Sequence, residues 1–158
     1  GGSGYDIACA QHHKPIVYQL QQAKPSITEV TFNPRFKNQL YFVYLNQKQS
    51  SKDAIAAYQQ QANKSSLLSE IDLITHAALT VANAHDFAAL LENHEAIMAQ
   101  ILKLEPVKKR LFPDFEGCIK SLGAWGGDFV LVVAAHDPTT YFKAKGFDTI
   151  LRYQDMIL

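Results

Sequence analysis

Two glycine-rich turns, one at each end, constrain this chain more than any other feature. The first is Gly1-Gly2-Ser3-Gly4-Tyr5-Asp6-Ile7-Ala8 and the second is Gly123-Ala124-Trp125-Gly126-Gly127-Asp128. Glycine has no Cβ, so such turns can bring bare backbone against a ligand. Each turn leads into one acid, Asp6 or Asp128. An acid beside exposed backbone N–H groups suits phosphoryl transfer, in which positioning and charge do most of the work. The opening Gly-Gly-Ser-Gly also has the composition of a flexible linker. The chain carries no initiator methionine, and it reads as the C-terminal part of a longer protein.

Between the turns, the pattern of apolar residues predicts an α+β fold with a mostly antiparallel sheet and helices packed on one face. Residues 7–11 read as a short helix. Residues 15–20 (P-I-V-Y-Q-L) and 26–32 (S-I-T-E-V-T-F) read as strands joined by a turn at 21–25. Residues 40–45 (L-Y-F-V-Y-L) are apolar on both faces, which predicts a central strand. A polar loop at 47–51 leads to three helices. Ser50 or Ser51 caps the first, which carries Ile55 and Tyr58. Ser65 or Ser66 caps the second, with Leu67, Leu68, Ile71, Ile74, Ala78 and Val81 on one face. Asp86 caps the third, with Phe87, Leu90, Leu91, His94, Ile97, Met98 and Ile101 at helical spacing. Pro106 and Pro113 bracket a short helical piece. Residues 118–122 and 129–135 then form a hairpin with the second glycine turn at its tip. Asp137 caps a helix with Pro138 at its first position. Gly146 ends it, and residues 147–153 form the last strand.

Composition excludes some functions. Fifteen basic residues balance 15 acidic ones, so there is no net positive charge for nucleic acid. No apolar run approaches the ~20 residues that span a bilayer, and no signal peptide is visible. Cys9 and Cys118 lie far apart, without metal spacing, and read as free thiols of a cytoplasmic protein. With no Cys or carboxylate at ligand spacing from His12 and His13, no metal site is expected.

Taken together, several strings resemble the C-terminal half of a GHMP kinase, the superfamily that phosphorylates galactose, homoserine, mevalonate and phosphomevalonate. G-S-G-Y-D-I-A at 2–8 resembles the string carrying that family's active-site aspartate, and also a bacterial subgroup named for G-Y-D-I-A. Y-F-V-Y-L-N-Q-K-Q-S-S at 41–51 resembles the strand and Ser/Thr loop that follow. Asn93-His94 falls where mevalonate kinases carry an Asn-Gln or Asn-Gln-His string on a helix. K-S-L-G-A-W-G-G-D at 120–128 resembles the third family motif, K-x-[ST]-G-A-G-G-G-[GD]. The final Asp128 is similar to phosphomevalonate kinase. Trp125 stands where the motif has glycine, and Leu122 where it has Ser or Thr. A tryptophan in a phosphate-facing turn narrows the pocket, and the missing hydroxyl removes a polar contact.

The resemblance implies a ferredoxin-like domain over residues 1–158, with the ATP-binding half outside this chain. It implies an enzyme that moves the γ-phosphoryl of ATP, with Mg²⁺, to phosphomevalonate or mevalonate in isoprenoid precursor synthesis. The fragment alone is expected to be inactive. Asp6 becomes the catalytic residue, as base or as orienting partner of a lysine. Gly2, Ser3, Gly4, Gly123, Ala124, Trp125, Gly126, Gly127 and Asp128 become the substrate- or phosphate-binding set. The expected partners are a small anionic substrate and a second copy in a homodimer, with neither nucleic acid nor membrane. Each residue also has a plainer reading. Asp6 suits the first turn of any helix, the second glycine cluster suits a hairpin tip, and Lys120 suits an exposed strand. His94 reads as a buried, hydrogen-bonded histidine. Trp125 is either an aromatic wall or a plug on the helices. The rival function is a non-catalytic GHMP-fold ligand sensor or interaction module; a generic ferredoxin-like binding domain is a third.

Overall fold

The computed structural model describes residues 4–21, 24–47, 65–123, 125 and 127–157. They divide into two compact units, Gly1–Asn33 and Pro34–Leu158. The first unit holds helix α1 (Tyr5–Gln11) and strands β1 (Ile16–Gln21) and β2 (Lys24–Glu29), paired as an antiparallel hairpin with Tyr18 opposite Ile27. The predicted turn at 21–25 is shorter than expected, because Gln21 and Lys24 already pair. α1 starts two residues before the expected position, at Tyr5, whose ring meets that of Tyr18 edge-on at 5.9 Å. The helix ends where the His12 ring Nδ1 donates to the Ala8 carbonyl at 2.7 Å, giving one of the last carbonyls a partner.

The second unit contains a four-stranded antiparallel sheet in the order β4-β5-β3-β6. Its strands are β3 (Leu40–Tyr44), β4 (Cys118–Ser121), β5 (Phe129–Val133) and β6 (Ile150–Arg152). Between β3 and β4 the chain forms α2 (Ser65–Thr80), α3 (Ala84–Leu102) and the short α4 (Val107–Leu111). Between β5 and β6 lies α5 (Thr139–Ala144), and a last helical turn, α6 (Tyr153–Met156), follows β6. This β-α-β-β-α-β arrangement is ferredoxin-like. The predicted helix with Ile55 and Tyr58, and its caps Ser50 and Ser51, lie outside the described residues.

β3 lies between β5 and β6, as its doubly apolar pattern predicts, and its first four residues are all buried. Side chains alternate across a strand, so the register sorts the sheet into two faces. Tyr41 pairs with Val132 and Val43 with Val130, and Ile119 pairs with Val132 from the other side. This face meets Val107 of α4, Phe112 and Phe115 just beyond it, and Phe142 of α5 in one core. Phe112 is the hub: its ring lies 5.1 Å from Phe142 and 5.2 Å from Phe147. On the opposite face Phe42 stacks on Tyr153 of α6 at 6.1 Å.

Element ends in the second unit also differ from expectation, two of them for a local hydrogen-bonding reason. α3 is capped by Asn83, not Asp86. Asn83 Oδ1 accepts from the Asp86 backbone N–H at 2.9 Å, while Asn83 Nδ2 donates to the Asp86 carboxylate at 2.8 Å, a reciprocal cap three residues apart. Asp137 accepts from the Thr139 N–H at 2.9 Å, so α5 begins after Pro138, not at it. The last strand covers Ile150–Arg152 alone, and Tyr153 already turns into α6. Gly146 does end α5, with φ of 86°.

Phe142 is fully buried at the centre of the larger core. Phe142→Ala is therefore expected to cost about 3–5 kcal/mol in urea unfolding. Leu73→Ala, at a side chain 70% exposed on α2, should stay within about 0.5 kcal/mol of the parent. Asn83→Ala should cost about 1 kcal/mol through the lost cap.

Candidate functional site

The site residues read from the sequence fall in both units. In the first, Gly4 precedes α1 with φ of 79°, a left-handed conformation that favours glycine. Asp6 follows in the first turn of α1 with an exposed side chain, where the helix dipole favours a carboxylate. Gly2 and Ser3 lie outside the described residues.

In the second unit, the β4–β5 ladder closes with the Leu122 N–H donating to the Phe129 carbonyl at 3.2 Å. The second glycine turn is thus the tip of that hairpin, as predicted. Gly123 is exposed with φ of 62°, and a Cβ there would meet open space, so backbone conformation and not crowding calls for glycine. Gly127 is buried and Asp128 exposed. The Asp128 carbonyl accepts from the Leu45 N–H at 2.7 Å, which ties the end of the turn to the chain beyond β3. Ala124 and Gly126 lie outside the described residues.

Trp125 answers the question that its sequence position leaves open. Its φ is 57°, the left-handed conformation that glycine would take without strain. Its side chain is only 6% exposed and packs with Ile74 of α2 and Ile97, Ile101 and Leu102 of α3. Left-handed backbone costs about 1–2 kcal/mol for a residue with a Cβ. Burying an indole contributes about 4–6 kcal/mol by its area, so burial wins. The expectation that this side chain narrows a phosphate-facing pocket is corrected: it plugs the helices.

Beside the turn lies a buried polar group that the sequence reading did not find. Glu95 of α3 is 4% exposed. It accepts from Lys120 Nζ at 3.0 Å and from the Ser121 hydroxyl at 2.9 Å, and Lys120 Nζ also donates to the Ser121 carbonyl at 2.7 Å. The Lys120 side chain is only 13% exposed, so the expected exposed strand lysine is instead half of a buried ion pair. Glu95 had a legible signal: with Phe87 and Leu91 it makes a run at spacing four, all of it buried. A charge on such a stripe requires a partner.

His94 lies on the α3 face with Leu90, Ile97 and Met98, the face that meets Trp125. Among the described residues, His94 Nδ1 and Trp125 Nε1 are buried without a hydrogen-bond partner, so the expected hydrogen-bonded histidine is not found at Nδ1. Burial first, and the nearby Lys120 charge second, push the His94 imidazole down to about 4. Both thiols are free, Cys9 exposed and Cys118 buried, and burial pushes Cys118 up to about 12.

Among the described residues, no group of three or more His, Cys, Asp or Glu could hold a metal ion, and no helix is long and apolar enough to cross a membrane. Cavities of about 410 and 520 Å³ flank α3, and neither is lined by a residue of the glycine turns.

Two outcomes follow from this geometry. Trp125→Gly should relieve strain yet destabilise the protein by about 3 kcal/mol in urea, because the lost burial exceeds the relieved strain. His94 has a folded pKa below its usual 6.5. Its contribution is complete above pH 6.5 and is lost as pH falls toward 4. Partial solvent screening keeps that loss on the order of 1–2 kcal/mol. His94→Gln should flatten the slope of unfolding free energy against pH in this window, relative to the parent.

No protein-family profile and no curated protein sequence matches this chain. Among solved structures, the fold matches that of the L. major mevalonate kinase determined in complex with R-mevalonate. The TM-score is 0.64 with 18% sequence identity, and the match covers 96% of this chain. This chain spans about half of that protein, 52% of its length. The chain shares its α+β fold with that part of the mevalonate kinase.

Proposed function

We propose that this chain is the C-terminal domain of an ATP-dependent small-molecule kinase of GHMP type, acting on phosphomevalonate or mevalonate. The observation that carries the reading is the fold match to a mevalonate kinase over nearly the whole chain. It is supported by the resemblance of two strings: G-S-G-Y-D-I-A, whose Tyr5–Ala8 open α1, and K-S-L-G-A-W-G-G-D, whose Lys120 and Ser121 end β4.

In this proposal Mg·ATP supplies the γ-phosphoryl group when bound, and the nucleotide is held mainly by residues outside these 158. Asp6 takes the proton from a hydroxyl acceptor such as that of mevalonate. With a phosphate acceptor, already ionised, Asp6 orients a lysine instead. Its exposed position in the first turn of α1 leaves the carboxylate accessible for either role. In the second turn, the exposed Gly123, left-handed at φ of 62°, offers backbone N–H groups to an anion. Asp128, exposed at the end of the second turn, orients a cationic group or holds Mg²⁺ through water.

The rival, a non-catalytic sensor on the same fold, has Leu122 in its favour, since the motif's hydroxyl is missing there. Trp125 no longer favours it, because the side chain leaves the turn for the helical core.

The test is ATP consumption by the full-length protein with mevalonate, phosphomevalonate, galactose and homoserine. Turnover is expected with one of the first two. Asp6→Asn should then lower kcat by about 10²–10⁴-fold. Absence of turnover with all four would reject the kinase reading in favour of the sensor.

A further inference from the structure

We infer that Glu95 is a positioning residue for the second glycine turn, acting through Lys120 and Ser121. As a role in catalysis this rests on the kinase reading; as a statement about the turn it does not. Ser121 is the last residue of β4, two positions before Gly123. Both of its polar side-chain and carbonyl groups are held: the hydroxyl donates to Glu95 at 2.9 Å, and the carbonyl accepts from Lys120 Nζ at 2.7 Å. Glu95 in turn holds Lys120 at 3.0 Å. The three residues form a ring of hydrogen bonds, closed through the Ser121 backbone carbonyl, between the middle of α3 and the point where the chain leaves the sheet.

Holding α3 against β4 does not require charge. A buried ion pair is often no more stabilising than an apolar pair of similar volume. An apolar pair could not, however, grip the hydroxyl and carbonyl of Ser121. The specific consequence of this trio is therefore direction: it sets how the backbone enters Leu122 and Gly123. Within the turn, Trp125 is anchored in the helices α2 and α3. The turn is thus held to α3 at both Ser121 and Trp125, with the exposed Gly123 between the two anchors. A loop that must present amides to an anion benefits from such fixing, since misplacement by about 1 Å can cost on the order of 10²-fold in rate.

The test replaces the pair together, Glu95→Leu with Lys120→Met, in the full-length protein, so that no buried charge is left alone. Amide hydrogen exchange is read by mass spectrometry on peptides covering 122–128 and, as internal reference, 129–133. Exchange of 122–128 should quicken by about tenfold while the reference keeps its protection. In the kinase assay, kcat should fall by about 10–100-fold with little change in the KM for ATP. Ser121→Ala, which leaves the ion pair intact, should quicken exchange of 122–128 by about threefold, and it decides the matter if the double variant does not fold. Unchanged exchange at 122–128 in a folded variant, or an equal rise in both peptides, would overturn the inference. If the parent protein shows no kinase activity, the function proposed above fails, and the exchange comparison still decides the role of Glu95 at the turn.

Discussion

The second unit depends on the pairing of β3 with β5. Tyr41 opposite Val132 and Val43 opposite Val130 put four large side chains on the face that meets Phe112 and Phe142. Because side chains alternate, a slip of one residue would turn this set away from that core. The same register carries Asp128 to the end of β3, where its carbonyl meets the Leu45 N–H. Core packing thus sets where the glycine turn ends, although none of the residues in this sheet core belongs to the turn.

Where the turn begins is controlled by different physics. Glu95, Lys120 and Ser121 place charge and hydrogen bonds in a site that is nearly closed to water. Desolvation makes this arrangement expensive, and a half-satisfied version would be worse than an apolar one. Here every oxygen of Glu95 has a partner, so the group is self-consistent. Its cost appears next door: the Lys120 charge adds to burial in keeping His94 uncharged.

Trp125 joins the two regimes. Its backbone keeps the left-handed conformation that glycine would adopt at that motif position, while its indole is buried among the helices. One residue thus stores local strain and offsets it with tertiary burial. A substitution that looks disruptive in the string K-S-L-G-A-W-G-G-D leaves the conformation of the turn at that position glycine-like.

By itself the sequence determined the α+β class, the central place of β3, the hairpin with its glycine tip, and the stop at Gly146. These are local signals: period, turn chemistry and a doubly apolar strand act over a few residues. It also offered Asp6 as a first-turn acid, which the helix dipole favours, although the helix begins two residues earlier than its apolar pattern suggests. At the start of α3, Asn83 and Asp86 are both good caps, and only their mutual hydrogen bonds distinguish them. Tertiary structure alone decided the direction of the Trp125 side chain and the burial of Lys120. Glu95 and Lys120 are 25 residues apart, and neither residue's environment is visible in its neighbours. A charge is tolerated inside only when its partner arrives with it, and which partner arrives is set by the packing of α3 on β4.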